Sequence, residues 1–356
     1  MSDTIKVAVD AMGGDNAPAE IVKGAVEAVK ERSNIQVVLV GREEAVKKEL
    51  EACAYKGDQI EIVNATEVIE TAEPPVKAIR SKKDSSMVVG MKMVRNDEAD
   101  AFVTAGSSGA TLVGGQTLVG RIKGVERPAL APLMPTENGV VLLIDCGANM
   151  DARPSYLVQF AQMGYIYMRD VVGIENPRVG ILNVGAEEEK GNQLVKDTFP
   201  LLKECDGINF TGSIEAREIP HGGADVVVTD AFAGNVVLKL YEGVASTLVS
   251  KLKEGLMSNL RSKIGALLIK PALKSTLKQF DASEYGGAPL LGLKGLVVKS
   301  HGSSKAKEIK NSIIQCVTFK EENISGKIKE SIDASNKKKE EKKKESGKKK
   351  DGSPEK

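Results

Sequence analysis

Lys190 stands in the stretch NVGAEEEKGN, behind three glutamates and just beyond a short apolar run. An ammonium there could hold phosphate, or the oxyanion that develops when a carbonyl is attacked. It could equally be a surface lysine paired with Glu187 or Glu188 at the start of a helix. Asn183 and Asn192 flank it as amide donors or as turn and cap residues. Asn235 closes FAGN ahead of VVLKLYEGVASTLV, a long amphipathic stretch, so its simplest role is N-cap. A helix start also presents open N–H groups to an anion, so the two roles are compatible. Asp230, at the end of DVVVTD, either orients Lys190 or terminates its strand, and Gly234 lies in the small-residue turn that follows.

A second group lies near the N-terminus, in VAVDAMGGDNAP. Gly13 and Gly14 let the backbone approach something closely or adopt positive φ. Asp10 and Asp15 would repel a bare phosphate, so they are expected to orient donors, cap the next helix or pair with Lys190. Asn16 is an alternative cap for the helix that Pro18 opens. In TAGSSGAT, Ser107, Ser108 and Thr111 could bind anion oxygens or cap a helix, and Asn149 and Asp151 of DCGANMD would join the same rim. Four scattered cysteines without CxxC spacing and two distant histidines, His221 and His301, argue against a zinc site or disulfide framework. Asp10 and Asp15 lack an evident third ligand, so no metal is expected there. His221, in IPHGGAD, reads as a turn residue.

The elements that must position these groups alternate regularly. IKVAVD precedes a helix from about Pro18 to Arg32, and IQVVLVG precedes one from Arg42. IEIV, ADAFVTAG, VVLLIDCG, RVGILNVG, DVVVTDAF and GLVVKSHG continue the pattern. That alternation predicts an α/β fold: a doubly wound, mostly parallel sheet with helices on both faces, its site beyond the carboxyl ends of the strands. Six such exits share small residues, hydroxyls and amides, which suits an anion site. Neither GxxxxGK[ST] nor GxGxxG follows a strand, which argues against a nucleotide fingerprint.

With 356 residues and 41% hydrophobic content, the chain can bury a large core. It has no Trp and 4% aromatics, few platforms for stacking bases, so no nucleic-acid partner is expected. SDTIKVAVDA is charged where a signal peptide would be apolar, and a cytosolic location is expected. Residues 333–356 hold ten Lys against six Asp and Glu within a net charge of +1. They are expected to form a disordered tail beyond a body of residues 1–332. Residues 251–278 hold seven Lys and Arg against one Glu, with Leu256, Leu260, Ile264, Leu267 and Leu268 at helical spacing beside Arg261 and Lys263. Such a basic amphipathic segment is expected to form a helical protrusion over about residues 251–280. It could touch an anionic bilayer, dock an acidic partner, or pack in a dimer core.

Taken in order, VAVDAMGGDNAP, VTAGSSGA, LIDCGANMD, NVGAEEEKGN, VTDAFAGNVVLK, GGAPLLGL and HGSS resemble the PlsX family of acyl-acyl carrier protein:phosphate acyltransferases, over about residues 5 to 319. The resemblance implies a cytosolic homodimer of bacterial phospholipid synthesis that converts acyl carrier protein thioesters and inorganic phosphate to acyl phosphates. It implies a fold similar to the isocitrate and isopropylmalate dehydrogenases and to phosphotransacetylases, with no cofactor. It raises Lys190 and Asn235 to catalytic candidates. His301 becomes a supporting acid for the departing thiolate, or a residue that merely bonds a strand end. Cys146, directly after an apolar strand, could accept an acyl group or be an inert core residue. The product suits a membrane glycerol-phosphate acyltransferase as partner. A phosphotransacetylase using acyl-coenzyme A and a non-catalytic anion-binding scaffold on a lipid surface are the alternatives.

Overall fold

The computed structural model describes residues 4–350. Its strands are β1 (Ile5–Asp10), β2 (Ile35–Gly41), β3 (Ile60–Asn64), β4 (Ala101–Thr104), β5 (Ala129–Leu130), β6 (Leu133–Thr136), β7 (Gly139–Ile144), β8 (Arg178–Asn183), β9 (Asn209–Glu215), β10 (Val226–Val228), β11 (Ala288–Leu291) and β12 (Leu296–Lys299). The helices are α1 (Ala19–Glu31), α2 (Glu43–Ala52), α3 (Pro75–Ser81), α4 (Ser86–Arg95), α5 (Ser108–Gly114), α6 (Pro154–Tyr167), α7 (Gln193–Lys203), α8 (Ala231–Leu256), α9 (Leu260–Gln279), α10 (Ala306–Glu321) and α11 (Ile324–Lys350).

The α/β alternation holds, but the predicted single sheet is two. One is ordered β3-β2-β1-β4-β12-β11-β5 and the other β6-β7-β10-β8-β9. The chain crosses between them at Ala131–Pro132, where Pro132 has no N–H with which to continue a ladder. Strands β1, β2, β4, β7, β8 and β10 run parallel to sheet neighbours. Each is a nearly unbroken apolar run because helices cover both faces. Antiparallel pairs occur where β11 meets β12 and β5, and where β6 meets β7. Strands β11 and β12 return to the first sheet, so that sheet is completed by chain that follows the whole of the second.

Helix α1 places Ile21, Val22, Ala25, Ala28 and Val29 on one buried stripe against α10. Gly24 permits that crossing, since a Cβ there would come 2.6 Å from the Ala306 carbonyl oxygen. Residues 333–350 depart from the expected disorder: α11 is helical through Lys350. Ile324, Ile328 and Ile332 anchor its first turns in the core. Ser335 then accepts a 2.6 Å bond from Gln162 Nε2, and Lys338 pairs with Asp206 at 2.6 Å. Once three buried isoleucines nucleate a helix, each further Lys or Glu extends it at little cost. Residues 351–356 of the expected tail lie outside the described residues.

Helices α8 and α9 pack on each other, and α9 buries no residue. Leu260, Leu267 and Leu268 are 75%, 69% and 76% exposed. Ile264, Arg261 and Lys263 are exposed too, while Leu256 ends α8 half-buried. The helical pair begins at Ala231, twenty residues before the expected segment. Among the described residues no helix is long and apolar enough to cross a membrane.

Candidate active site

Asp10 ends β1 fully buried. Its carboxylate accepts from Thr104 Oγ1 at 2.7 Å and from the Met12 N–H at 3.2 Å, with the Ser86 hydroxyl and the Gly13 N–H also bonded to it. Burial outweighs these donors and raises its pKa above the ordinary carboxylate value. The two glycines serve the chain's own close approach. A Cβ at Gly13 would come 2.8 Å from the Gly106 nitrogen, and at Gly14, where φ is +100°, 2.9 Å from the Ala105 Cβ. Asp15 donates its N–H to the Gly302 carbonyl at 2.8 Å, which ties this loop to the β12 exit. Two expectations fail here. Asp10 does not pair with Lys190, because it is sealed under Thr104. Asn16 does not cap α1 with its side chain, because its amide donates to the Ser303 and Ser304 carbonyls instead.

Ser107 caps α5, its hydroxyl accepting from Ala110 N at 3.4 Å, and Ser108 begins that helix exposed. The structure adds Lys299, at the end of β12, which sequence reasoning passed over. It is 8% exposed, and its ammonium donates to the Ala105 carbonyl at 3.4 Å and to that of Ser300. Among the described residues no carboxylate lies within ion-pair distance of it, and burial pushes its pKa down to about 8. A lysine inside LVVK was the available signal, since a lysine in a buried strand is rare.

The second sheet carries the other group. Strands β8 and β10 are parallel neighbours. Their exits flank a cleft of about 450 Å³ whose walls include Asn183, Gly191, Asn192, Asp230 and Ala233. Asn183 donates to the Lys190 carbonyl at 3.2 Å and to Ser213 Oγ at 3.1 Å, fixing the loop from inside. Lys190 itself is half exposed and pairs with Glu187 at 2.8 Å, which raises its pKa and keeps it cationic. Asn192 caps α7 through Val195 N at 3.0 Å.

Asp230, not Asn235, caps α8, accepting from Ala233 N at 2.9 Å. Both residue types cap well, but Ala-Phe-Ala can already take helical geometry, so the helix starts as soon as the strand ends. Asn235 therefore sits one turn inside α8, and among the described residues its amide has no hydrogen-bond partner. Asp230, bound to its own helix, does not orient Lys190.

Asp145, also missed from sequence, organises the β7 exit. It is wholly buried and accepts from Leu130 N at 2.9 Å, Ala148 N at 3.2 Å, and Asn149 N and Nδ2 at 2.8 and 2.7 Å. Asn149 spends its amide on Asp145 and the Pro128 carbonyl, so it shapes the rim rather than offering a donor. The start of α8 rests on this loop: Ala231 N donates to the Asn149 carbonyl at 3.0 Å. Burial drives the Asp145 pKa up to about 6 and that of the Cys146 thiol well above its usual value, so Cys146 stays protonated and unreactive.

His301 belongs to the first sheet's edge. Its Nδ1 accepts from Ser303 N at 3.2 Å and lies 2.8 Å from Ser303 Oγ, so Nδ1 is engaged within its own turn. No hydrogen bond or ion pair among the described residues joins it to the Lys190 loop. His221 pairs with Glu137 at 3.1 Å, at the far side of β6.

The fatty acid synthesis protein family matches this chain over residues 5–327. The chain is 50% identical to a phosphate acyltransferase of Clostridium novyi (strain NT), over 92% of this chain and 99% of that one. It is also 50% identical to a phosphate acyltransferase of Clostridium botulinum (strain Alaska E43 / Type E3), over 93% of this chain and 100% of that one. Among solved structures, a phosphotransacetylase from Streptococcus pyogenes superposes with a TM-score of 0.58 at 18% identity, covering 89% of this chain and 94% of that one. That likeness is one of fold.

Proposed function

This chain belongs to the fatty acid synthesis protein family and is an acyltransferase, and we propose that it moves the acyl group of an acyl carrier protein thioester directly onto inorganic phosphate. The acyl phosphate formed would feed phospholipid synthesis. One observation supports this reading: the exits of β8 and β10 open on one cleft, lined by Asn183, Gly191 and Asn192 beside the Lys190 loop and by Asp230 and Ala233 at the start of the helix that carries Asn235 one turn further on.

Phosphate is already ionised near neutrality, so the site needs placement and charge more than a strong base. In this reading the Lys190 ammonium holds the phosphate, and Asn235 Nδ2 donates to the oxyanion as a phosphate oxygen adds to the thioester carbonyl. Collapse of that intermediate breaks the C–S bond and releases the carrier thiolate, which is a good enough leaving group to depart unprotonated and take its proton from water; His301 could supply that proton only as an imidazolium, after giving up the bond that its Nδ1 now accepts from the Ser303 N–H. No enzyme-bound acyl group is needed, and the buried, protonated Cys146 is ill suited to carry one.

The exposed leucines of α9 beside Arg261 and Lys263 support peripheral contact of this cytosolic enzyme with an anionic membrane surface, where a glycerol-phosphate acyltransferase could take the product. A homodimer is part of the same proposal. A second reading, transfer from acyl-coenzyme A, is supported by the phosphotransacetylase-like fold. Purified protein mixed with phosphate and either a long-chain acyl carrier protein thioester or acetyl-coenzyme A separates the two. Mass detection of a long-chain acyl phosphate from the carrier thioester alone is the expected result. Acetyl phosphate formed faster from acetyl-coenzyme A would favour the second reading, and consumption without phosphate would defeat both.

A further inference from the structure

A second, larger cleft lies between α3, α4 and α5. It has a volume of about 990 Å³, within the range that holds an extended small ligand. Its walls are aliphatic: Ile79 from α3, Val88 from α4, Leu112 and Val113 from α5, and Leu118 from the turn beyond. Val88 and Ile79 are buried, forming a floor, and Val76 stands 50% exposed at the edge. Where α3 begins, Pro75 meets Gly109, whose Cβ would come 2.6 Å from the proline ring. Ala148 also lines the cleft at that loop.

Ala148 gives the cleft its meaning. It belongs to the β7 exit loop, which Asp145 holds through the Ala148 N–H at 3.2 Å. The start of α8 rests on the same loop through Ala231 N and the Asn149 carbonyl at 3.0 Å. A single loop therefore separates the Asn235 helix start from an aliphatic trough. Arg80, Lys83 and Lys92 also line the trough. Their stems can cover hydrocarbon while their charges reach water.

We infer that this α3–α4–α5 cleft binds the hydrocarbon chain of a long-chain acyl substrate, its carbonyl end at Ala148 and Gly109. The assignment rests on the acyl-transfer reading above for its choice of ligand. Each methylene moved from water into the cleft should tighten binding by up to about fourfold, the equivalent of about 0.8 kcal/mol. The enzyme would then favour long chains until the trough is filled.

Two obstructing variants, Val113→Trp and Gln116→Trp, test this, since both positions line the cleft and neither is fully buried. Gln116→Trp guards against loss of fold at Val113, and melting curves of both report on it. The first readout is photo-cross-linking of a diazirine-bearing hexadecanoic acid to the full chain, with the labelled peptides mapped. Labelling confined to residues 75–118 and the loop around Ala148, and reduced at least tenfold in either folded variant, is expected. Labelling elsewhere, or unchanged in both variants, overturns the inference.

The second readout is phosphate-dependent consumption of butanoyl and hexadecanoyl thioesters. A KM raised tenfold or more for hexadecanoyl, with butanoyl unaffected, is expected; equal effects on both overturn the inference. If wild type is labelled in the cleft yet consumes neither thioester, the chain-binding site stands and the phosphate-transfer reading fails.

Discussion

Gly234 in α8 lies directly over the Asp145 carbonyl oxygen: a Cβ built on the glycine would fall well inside 3.0 Å, a separation real Cβ atoms essentially never show. The opposing atom is backbone, which cannot swing aside. This contact sets how closely the helix carrying Asn235 can approach the loop carrying Ala148. Gly234→Ala should therefore push α8 off the β7 exit. A stability loss of about 1–3 kcal/mol is expected from the overpacking, together with a loss of turnover larger than the change in melting temperature would suggest. Chemical denaturation alongside phosphate-dependent thioester consumption checks both. A variant with wild-type turnover would mean that this approach does not position the site.

Lys190 and Glu187 form an ion pair that is about half exposed on both sides. Exposed pairs add little to stability. Lys190→Ala should consequently leave the melting temperature nearly unchanged while reducing turnover roughly a hundredfold or more, the scale of losing one charge-stabilising group. Glu187→Gln should keep most activity, because the ammonium stays charged without its partner. If Lys190→Ala turned over normally, Lys190 would have no part in the mechanism.

Asp145 titrates in the folded protein near pH 6 against an ordinary value of 3.8. The native state thus holds the proton more tightly than the unfolded chain. Its contribution to stability is full below about pH 4 and is lost as pH rises through about 6. Asp145→Asn removes that slope and turns one acceptor into a donor facing N–H groups, a cost on the order of 1–3 kcal/mol. The wild-type advantage over Asp145→Asn should therefore grow as pH falls from about 6 to about 4. Urea midpoints at four pH values would show it, and a constant gap would refute the raised pKa.

Lys299 has the opposite sign. Its folded pKa of about 8 lies below the ordinary 10.5, so the native state prefers the neutral amine. Wild-type stability should rise between about pH 8 and 10.5 as the unfolded chain loses the same proton. Lys299→Met lacks the buried charge, and its stability relative to wild type should be highest near pH 7 and decline toward pH 10. The comparison is best made by thermal melts in matched buffers. A difference independent of pH would mean that Lys299 is neutral or well hydrated throughout.

Much of this was legible in the sequence where a single interaction dominates. Apolar runs marked β1, β2, β3, β4, β7, β8, β10 and β12. Strands β5, β6, β9 and β11 were missed because they are short, polar or contain proline, and neighbouring strands rather than their own pattern hold them. The division into two sheets was hidden because alternation says nothing about which later strand returns to an earlier one. Gly13 and Gly14 were legible as a close backbone approach or a positive φ, and both occur, but that the approach is to Ala105 and Gly106 of the chain itself was not. Asp145 and Lys299 escaped notice because their character comes from burial, a property of the fold rather than of neighbouring letters. Composition predicted disorder from residue 333 and missed the three isoleucines that extend the helix into it.

The exposed leucines of α9 bear on where the enzyme works. Leu260, Leu267 and Leu268 are each more than two-thirds exposed, on a helix that has no fully buried residue. If they enter a bilayer, Leu260→Asp with Leu267→Asp should abolish sedimentation with vesicles containing anionic lipid. Turnover of a water-soluble thioester should stay within about twofold of wild type, because α9 contributes no wall to either cleft. Binding should also weaken as salt rises, since Arg261 and Lys263 add a screened electrostatic attraction to the apolar one. If the double variant sediments as wild type does, the leucines do not touch lipid. If it instead changes the oligomeric state in solution, the face belongs to contact between copies of the chain.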